Sequence, residues 1–84
     1  MVKVLFFARI REELGCAALE WRWAGAGFDL DTLQEEICAE HGQKWRDALS
    51  QDNLIRAVNQ AITTDNCLLS DGDEVAFFPP VTGG

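Results

Sequence analysis

Apolar residues recur at every second position near both ends of this chain and at every third or fourth position in its middle. That change of period constrains the fold more than any other feature. Strands send alternate side chains to opposite faces, whereas a helix gathers them into a stripe. In "MVKVLFFARI", Val2, Val4, Phe6, Ala8 and Ile10 form an unbroken apolar face, and Lys3, Leu5, Phe7 and Arg9 form a mixed one. "ALEWRW" alternates Leu19, Trp21 and Trp23 with Ala18, Glu20 and Arg22, the pattern of a half-buried strand. "EVAFF" reads as the last strand, entered through the turn "SDGD".

Between these segments Leu33, Ile37 and His41 share one stripe, with Leu30 and Cys38 beside it, which predicts a helix from Asp31. Asp31 followed by Gln34 resembles a capping box, and Gly42 supplies the stop. "REELG" predicts a single helical turn closed by Gly15, and "KWRDAL" a further short helix. "LIRAVNQAI" reads as a strand or a tight hairpin about Asn59-Gln60. The expected fold is α+β: a roll with one main helix on one face of a mixed, four- to five-stranded sheet. The 84 residues suit one domain, with 1–78 as the folded unit and 79–84 as a flexible tail.

The ending "FFPPVTGG" does not belong to a core. Pro79 and Pro80 lack amide hydrogens and have a fixed φ, so they end ladder pairing and stiffen the chain. Val81 and Thr82 keep it extended. Gly83 and Gly84 carry no Cβ, so their backbone fits a channel too narrow for any side chain. Six extended residues reach roughly 20 Å. A narrow arm ending in a free carboxylate suits delivery of that carboxylate into another protein's active site. The carboxylate needs prior activation, most simply as an acyl-adenylate made with ATP by another enzyme. This chain has no phosphate-binding glycine loop with which to do it; "GAG" at Gly25 to Gly27 is too short.

Seven basic against fourteen acidic residues give a net charge of −7, which disfavours nucleic acids and anionic membranes as partners. A basic docking face on a protein partner fits better, and an acidic surface kept for solubility fits the charge equally. Cys16, Cys38 and Cys67 are odd in number and widely spaced, so inert, buried thiols are expected and a disulfide framework is not. With His41 as the single histidine, no metal site is expected, and His41 itself reads as structural or capping. Neither a membrane-length apolar run nor a signal-type segment is apparent, which makes the cytoplasm the default location.

The ending "DGDEVAFFPPVTGG", the start "KVLFFARIREELG" and the intervening "AVNQ" resemble the small, sulfur-carrier subunits of molybdopterin synthase. These are ubiquitin-like β-grasp proteins, and the likeness spans the whole chain in length and element order. The resemblance implies that the Gly84 carboxylate is adenylated by an E1-like adenylyltransferase and converted to a thiocarboxylate with sulfur from a sulfurtransferase. It implies a large synthase subunit as partner, in a heterotetramer of two small and two large chains. That partner's pocket admits Pro79, Pro80, Val81, Thr82, Gly83 and Gly84, and the sulfur passes to cyclic pyranopterin monophosphate. Pterin-binding and acid/base residues belong to the large subunit, and the carrier itself binds no cofactor. A thiocarboxylate sulfur is anionic and soft near neutral pH, a ready nucleophile without a local base. Related alternatives are a sulfur carrier for thiamine or cysteine synthesis and, in another class, a ubiquitin-like modifier or interaction module.

Strand alternation also splits each Phe-Phe doublet across the sheet. Phe6 with Val2 and Val4, and Phe77 with Val75, are expected to face the helix. Phe7 and Phe78 then take the other face beside Leu5 and Ala76. In the β-grasp fold that the resemblance implies, the first and last strands are central, parallel neighbours. Phe7 and Phe78 should therefore lie together, with Arg9 and Arg11 near the root of the tail. Phe7, Arg11, Phe78 and Ile62 are the expected partner-binding residues, unless a second layer such as segment 43–50 covers them.

Overall fold

The computed structural model describes residues 1–80. Five strands, β1 (Val2–Phe6), β2 (Ala18–Trp21), β3 (Ile55–Val58), β4 (Ala61–Thr63) and β5 (Glu74–Phe78), form one sheet in the order β2-β1-β5-β3-β4. Central β1 and β5 run parallel, with Val4 opposite Val75 and Phe6 opposite Phe77; the other three pairings are antiparallel. Three helices, α1 (Ala8–Leu14), α2 (Leu30–His41) and α3 (Gln43–Leu49), complete the chain.

One face of the sheet carries the core. Val2, Val4 and Phe6 from β1 and Val75 and Phe77 from β5 are buried against Leu30, Leu33 and Ile37 of α2. The Phe6 and Phe77 rings stack at 5.8 Å, and Trp45 of α3 meets Phe6 edge-on at 5.4 Å. Segment 43–50 therefore closes the core side and does not form a layer over the opposite face. Asn59 and Gln60 both adopt positive φ, 51° and 70°, as the tight turn joining β3 to β4 requires.

Local expectations are corrected at two places. The first strand stops at Phe6, and Ala8 and Ile10 belong to α1. Ala8 takes φ +52° and turns the chain off the sheet. Ile10 and Leu14, four apart, then bury one helical face. The alternation ran on because Ile10 is an even step from Phe6 as well as a helical step from Leu14. Gly15, at φ 64°, closes this helix by donating its amide to the Arg11 carbonyl, as expected, but the helix is about two turns long rather than one.

The second correction is the α2 cap, which is Asp29 rather than Asp31. An Asp29 carboxylate oxygen accepts the Thr32 amide at 2.8 Å, and its other oxygen accepts from Asn66 Nδ2 at 3.1 Å. The helix starts early because Leu30 must be helical to reach the core, where it is fully buried. The Asp31 amide is taken by Asn66 Oδ1 instead, and its carboxylate pairs with Arg56. His41 is the last residue of α2, in keeping with its reading as structural or capping; it is exposed and stacks on Trp45 at 3.9 Å.

All three cysteines are free thiols, but only Cys38 is buried as expected; Cys16 and Cys67 are half-buried at the edge of the core. Burial pushes the Cys38 thiol above its ordinary range, partly opposed by nearby Arg46, so it is not poised as a thiolate.

Candidate docking groove at the root of the tail

The parallel register that pairs Phe6 with Phe77 on the core side brings the next residues together on the far side. Phe7 donates its amide to the Phe77 carbonyl at 3.2 Å, and the Phe7 and Phe78 rings stack at 4.6 Å with planes only 4° apart. Both rings are half-buried. Because α1 leaves the sheet at Ala8 and α3 packs on the core side, nothing among the described residues lies over this pair.

The stacked rings form one wall of an open groove of about 890 Å³. Leu5 and Phe7 from β1, Ala76 and Phe78 from β5, Ile55 and Ala57 from β3, and Ile62 from β4 supply its apolar surface. The register explains the gathering: Ile55 lies opposite Phe78, Ala57 opposite Ala76, and Ile62 opposite Ala57, so all point to one face. Small residues at 57 and 76 make the floor, while larger residues make the rim. Ile62, 71% exposed, extends this contiguous apolar surface to β4.

Pro79 and Pro80 line the same groove at the end where β5 leaves the sheet. The tail therefore starts at the groove. The expectations for Val81, Thr82, Gly83 and Gly84 fall outside the described residues. Of the four residues expected to bind a partner, Phe7, Ile62 and Phe78 line the groove together. Arg11 does not; it is exposed on α1, one turn beyond Phe7, whose carbonyl accepts its amide. Arg9 is held loosely by Glu13 at 3.7 Å.

Sequence reasoning missed Ala8, Ile55, Ala57, Gln60 and Glu74 as lining residues. The signal for the β3 pair was the "AVNQ" turn: once β3 is placed beside β5, alternation assigns Ile55 and Ala57 to the outer face. Only the strand order was lacking. Among the described residues no cluster of three or more histidine, cysteine, aspartate or glutamate side chains could hold a metal.

A mixed five-stranded sheet with parallel central strands and a main helix across one face is the ubiquitin-like β-grasp arrangement. Haloferax volcanii SAMP1 has the same fold, with a TM-score of 0.76 at 20% identity, over 99% of this chain and 98% of that one. A solved complex of subunits 1 and 2 of molybdopterin-converting factor from Helicobacter pylori 26695 matches with a TM-score of 0.69 at 26% identity. That alignment covers 99% of this chain and 97% of the matched chain. The sequence is 46% identical to the molybdopterin synthase sulfur carrier subunit of Escherichia coli (strain K12), over 100% of both chains. The ThiS family model matches residues 4–84. The chain belongs to the ThiS family, in its group of molybdopterin synthase sulfur carrier subunits.

Proposed function

We propose that this protein carries sulfur on its C-terminal glycine and delivers it, through the tail that starts at the docking groove, for the synthesis of molybdopterin. The observation that carries the reading is the continuity of β5 with Pro79 and Pro80 along an open apolar groove. The core anchors the strand, the groove offers a docking face, and the tail begins between them.

In the first step the Gly84 carboxylate attacks the α-phosphate of ATP on an E1-like adenylyltransferase, and pyrophosphate leaves. A sulfurtransferase persulfide then displaces AMP from the acyl carbon. A thiol reduces the resulting acyl disulfide and leaves the thiocarboxylate. In the large synthase subunit the thiocarboxylate sulfur attacks cyclic pyranopterin monophosphate, and water returns Gly84 to a carboxylate. Two transfers complete one dithiolene. The acid/base groups for these steps come from the partner enzymes, and ATP is consumed by the activating enzyme.

Pro79 and Pro80 limit the conformations the tail must give up on insertion, which otherwise costs roughly 1–2 kcal/mol per residue of backbone. Gly83 and Gly84 admit the backbone to a channel without side-chain clearance. Phe7, Phe78 and Ile62 supply apolar contact, and Arg11, outside the groove on α1, offers a charge to the same partner. The large subunit docks here in a heterotetramer of two small and two large chains. The activating enzyme needs the same inserted tail, so the two compete for one face. The reactions belong to the cytoplasm, and no helix among the described residues is long and apolar enough to cross a membrane.

Intact mass spectrometry tests the loading step. After incubation with ATP, the adenylyltransferase, a sulfurtransferase and a thiol, the chain gains the mass of one oxygen replaced by sulfur. Covalent attachment to lysines, with no thio form, identifies a protein modifier instead.

A further inference from the structure

The groove is apolar except at the end away from the tail, where Glu74 and Gln60 line it. Glu74 contributes the groove's one charged side chain among the described residues. It is half-buried, and no described cation lies within ion-pairing distance of its carboxylate. Lys3, its register neighbour on β1, stays exposed without bonding to it.

The backbone under Glu74 is fixed from both sides. The Asn59 amide donates to the Glu74 carbonyl at 2.7 Å, and the Glu74 amide donates to Asn59 Oδ1 at 3.0 Å. Asn59 Nδ2 donates in turn to Asp73 Oδ1 at 2.9 Å. Asparagine tolerates the φ of 51° that this clamp requires, which accounts for Asn59 within "AVNQ". A carboxylate is thus held on a rigid root at the margin of an apolar surface, with its oxygens unengaged.

We infer that Glu74 is the specificity-determining residue of the docking face and receives a basic side chain of the large synthase subunit. The inference rests on the carrier reading above. Docking dehydrates the carboxylate against Leu5, Ala57 and Ala76, and that dehydration is unfavourable unless the partner supplies a cation. A guanidinium suits the site best, because it can bond both Glu74 oxygens and still donate to Gln60 Oε1. Glu74 and Pro79 lie at opposite ends of β5. A charge pair at one end therefore fixes the position of the complex along the strand, and with it the depth to which the tail enters. A partner lacking the cation is rejected by the unpaired buried charge.

The test compares wild type, Glu74→Gln and Glu74→Lys for binding to the purified large subunit over a series of salt concentrations. Glu20→Gln, on the same open face but on β2 away from the groove, is the control. All variants should melt as wild type. Glu74→Gln should weaken binding by about tenfold at low salt, with the gap narrowing as salt rises, and Glu74→Lys should weaken it further. Glu20→Gln should bind within about twofold of wild type, the range of a screened surface charge. Wild-type affinity in Glu74→Gln at low salt overturns the inference and leaves the carrier reading standing. A wild-type chain with no affinity for the large subunit overturns both.

Discussion

Phe78 stacks on Phe7 at 4.6 Å on one side of the sheet, while the preceding residue, Phe77, stacks on Phe6 at 5.8 Å on the other. Two adjacent residues of one strand therefore do separate jobs. Phe77 is fully buried and should behave as a core residue: Phe77→Ala should cost roughly 3–5 kcal/mol of stability. Phe78→Ala should instead melt close to wild type and weaken the large-subunit complex by about 2 kcal/mol or more, the scale of an interface anchor. Urea denaturation and calorimetric titration of the two variants separate these roles. A Phe78→Ala chain that loses stability but keeps full affinity per folded molecule contradicts the assignment.

Removing Gly84, or adding one residue after it, should leave the melting curve unchanged and abolish sulfur transfer, because the acyl carbon is then absent or misplaced. Gly83→Ala should also fold normally and fail in transfer through its added Cβ. Thermal melts and a transfer assay on the same preparations check both halves. Normal transfer by the chain lacking Gly84 is incompatible with a terminal carrier.

Ala8 spends its φ of +52° to turn β1 into α1 at the edge of the groove. An alanine in this region is less favourable than glycine by roughly 1–2 kcal/mol, offset in part by the greater freedom of glycine in the unfolded chain. Ala8→Gly should therefore stabilise the protein by about 0.5–1 kcal/mol. The midpoint of urea unfolding measures it, and a clear loss of stability argues that the Ala8 methyl is packed rather than strained.

These cases show which parts of the structure the sequence made legible. The period of apolar residues placed the strands, the main helix and the division of each Phe-Phe doublet, because burial enforces those patterns directly. Element ends were harder. Ile10 satisfied the strand period and the helix period at once, and the choice between them lay in a backbone turn at Ala8 that an alanine does not advertise. Asp29 and Asp31 are both acceptable caps, and burial of Leu30 decided for Asp29. The groove's β3 side, Ile55 and Ala57, depended on β3 lying beside β5, a long-range pairing that no local pattern encodes.

The Asp29 cap gives the fold an acid-sensitive contact. The Thr32 hydrogen bonds, helped by Asn66, hold the Asp29 carboxyl below its ordinary value of 3.8. A depressed folded-state pKa contributes stability that is present above the unfolded value and is lost as pH falls through the folded one. Glu35, held low by its hydrogen bonds to Arg46, behaves in the same direction. Asn caps nearly as well as Asp and does not titrate. Asp29→Asn should therefore resemble wild type near neutrality and lose less stability than wild type below the ordinary aspartate range. Melting temperatures across that acid range provide the comparison, and parallel curves would rule out Asp29 as a contributor.

The central claim is that Gly84 is a sulfur donor consumed in the synthase. Its most direct measurement is intact mass during a single turnover of purified thiocarboxylated chain with the large subunit and cyclic pyranopterin monophosphate. The account predicts that the thio form converts to the carboxylate as molybdopterin appears, two carriers for each product. Product formation with the thiocarboxylate intact, or loss of sulfur at the same rate without the pterin precursor, contradicts it.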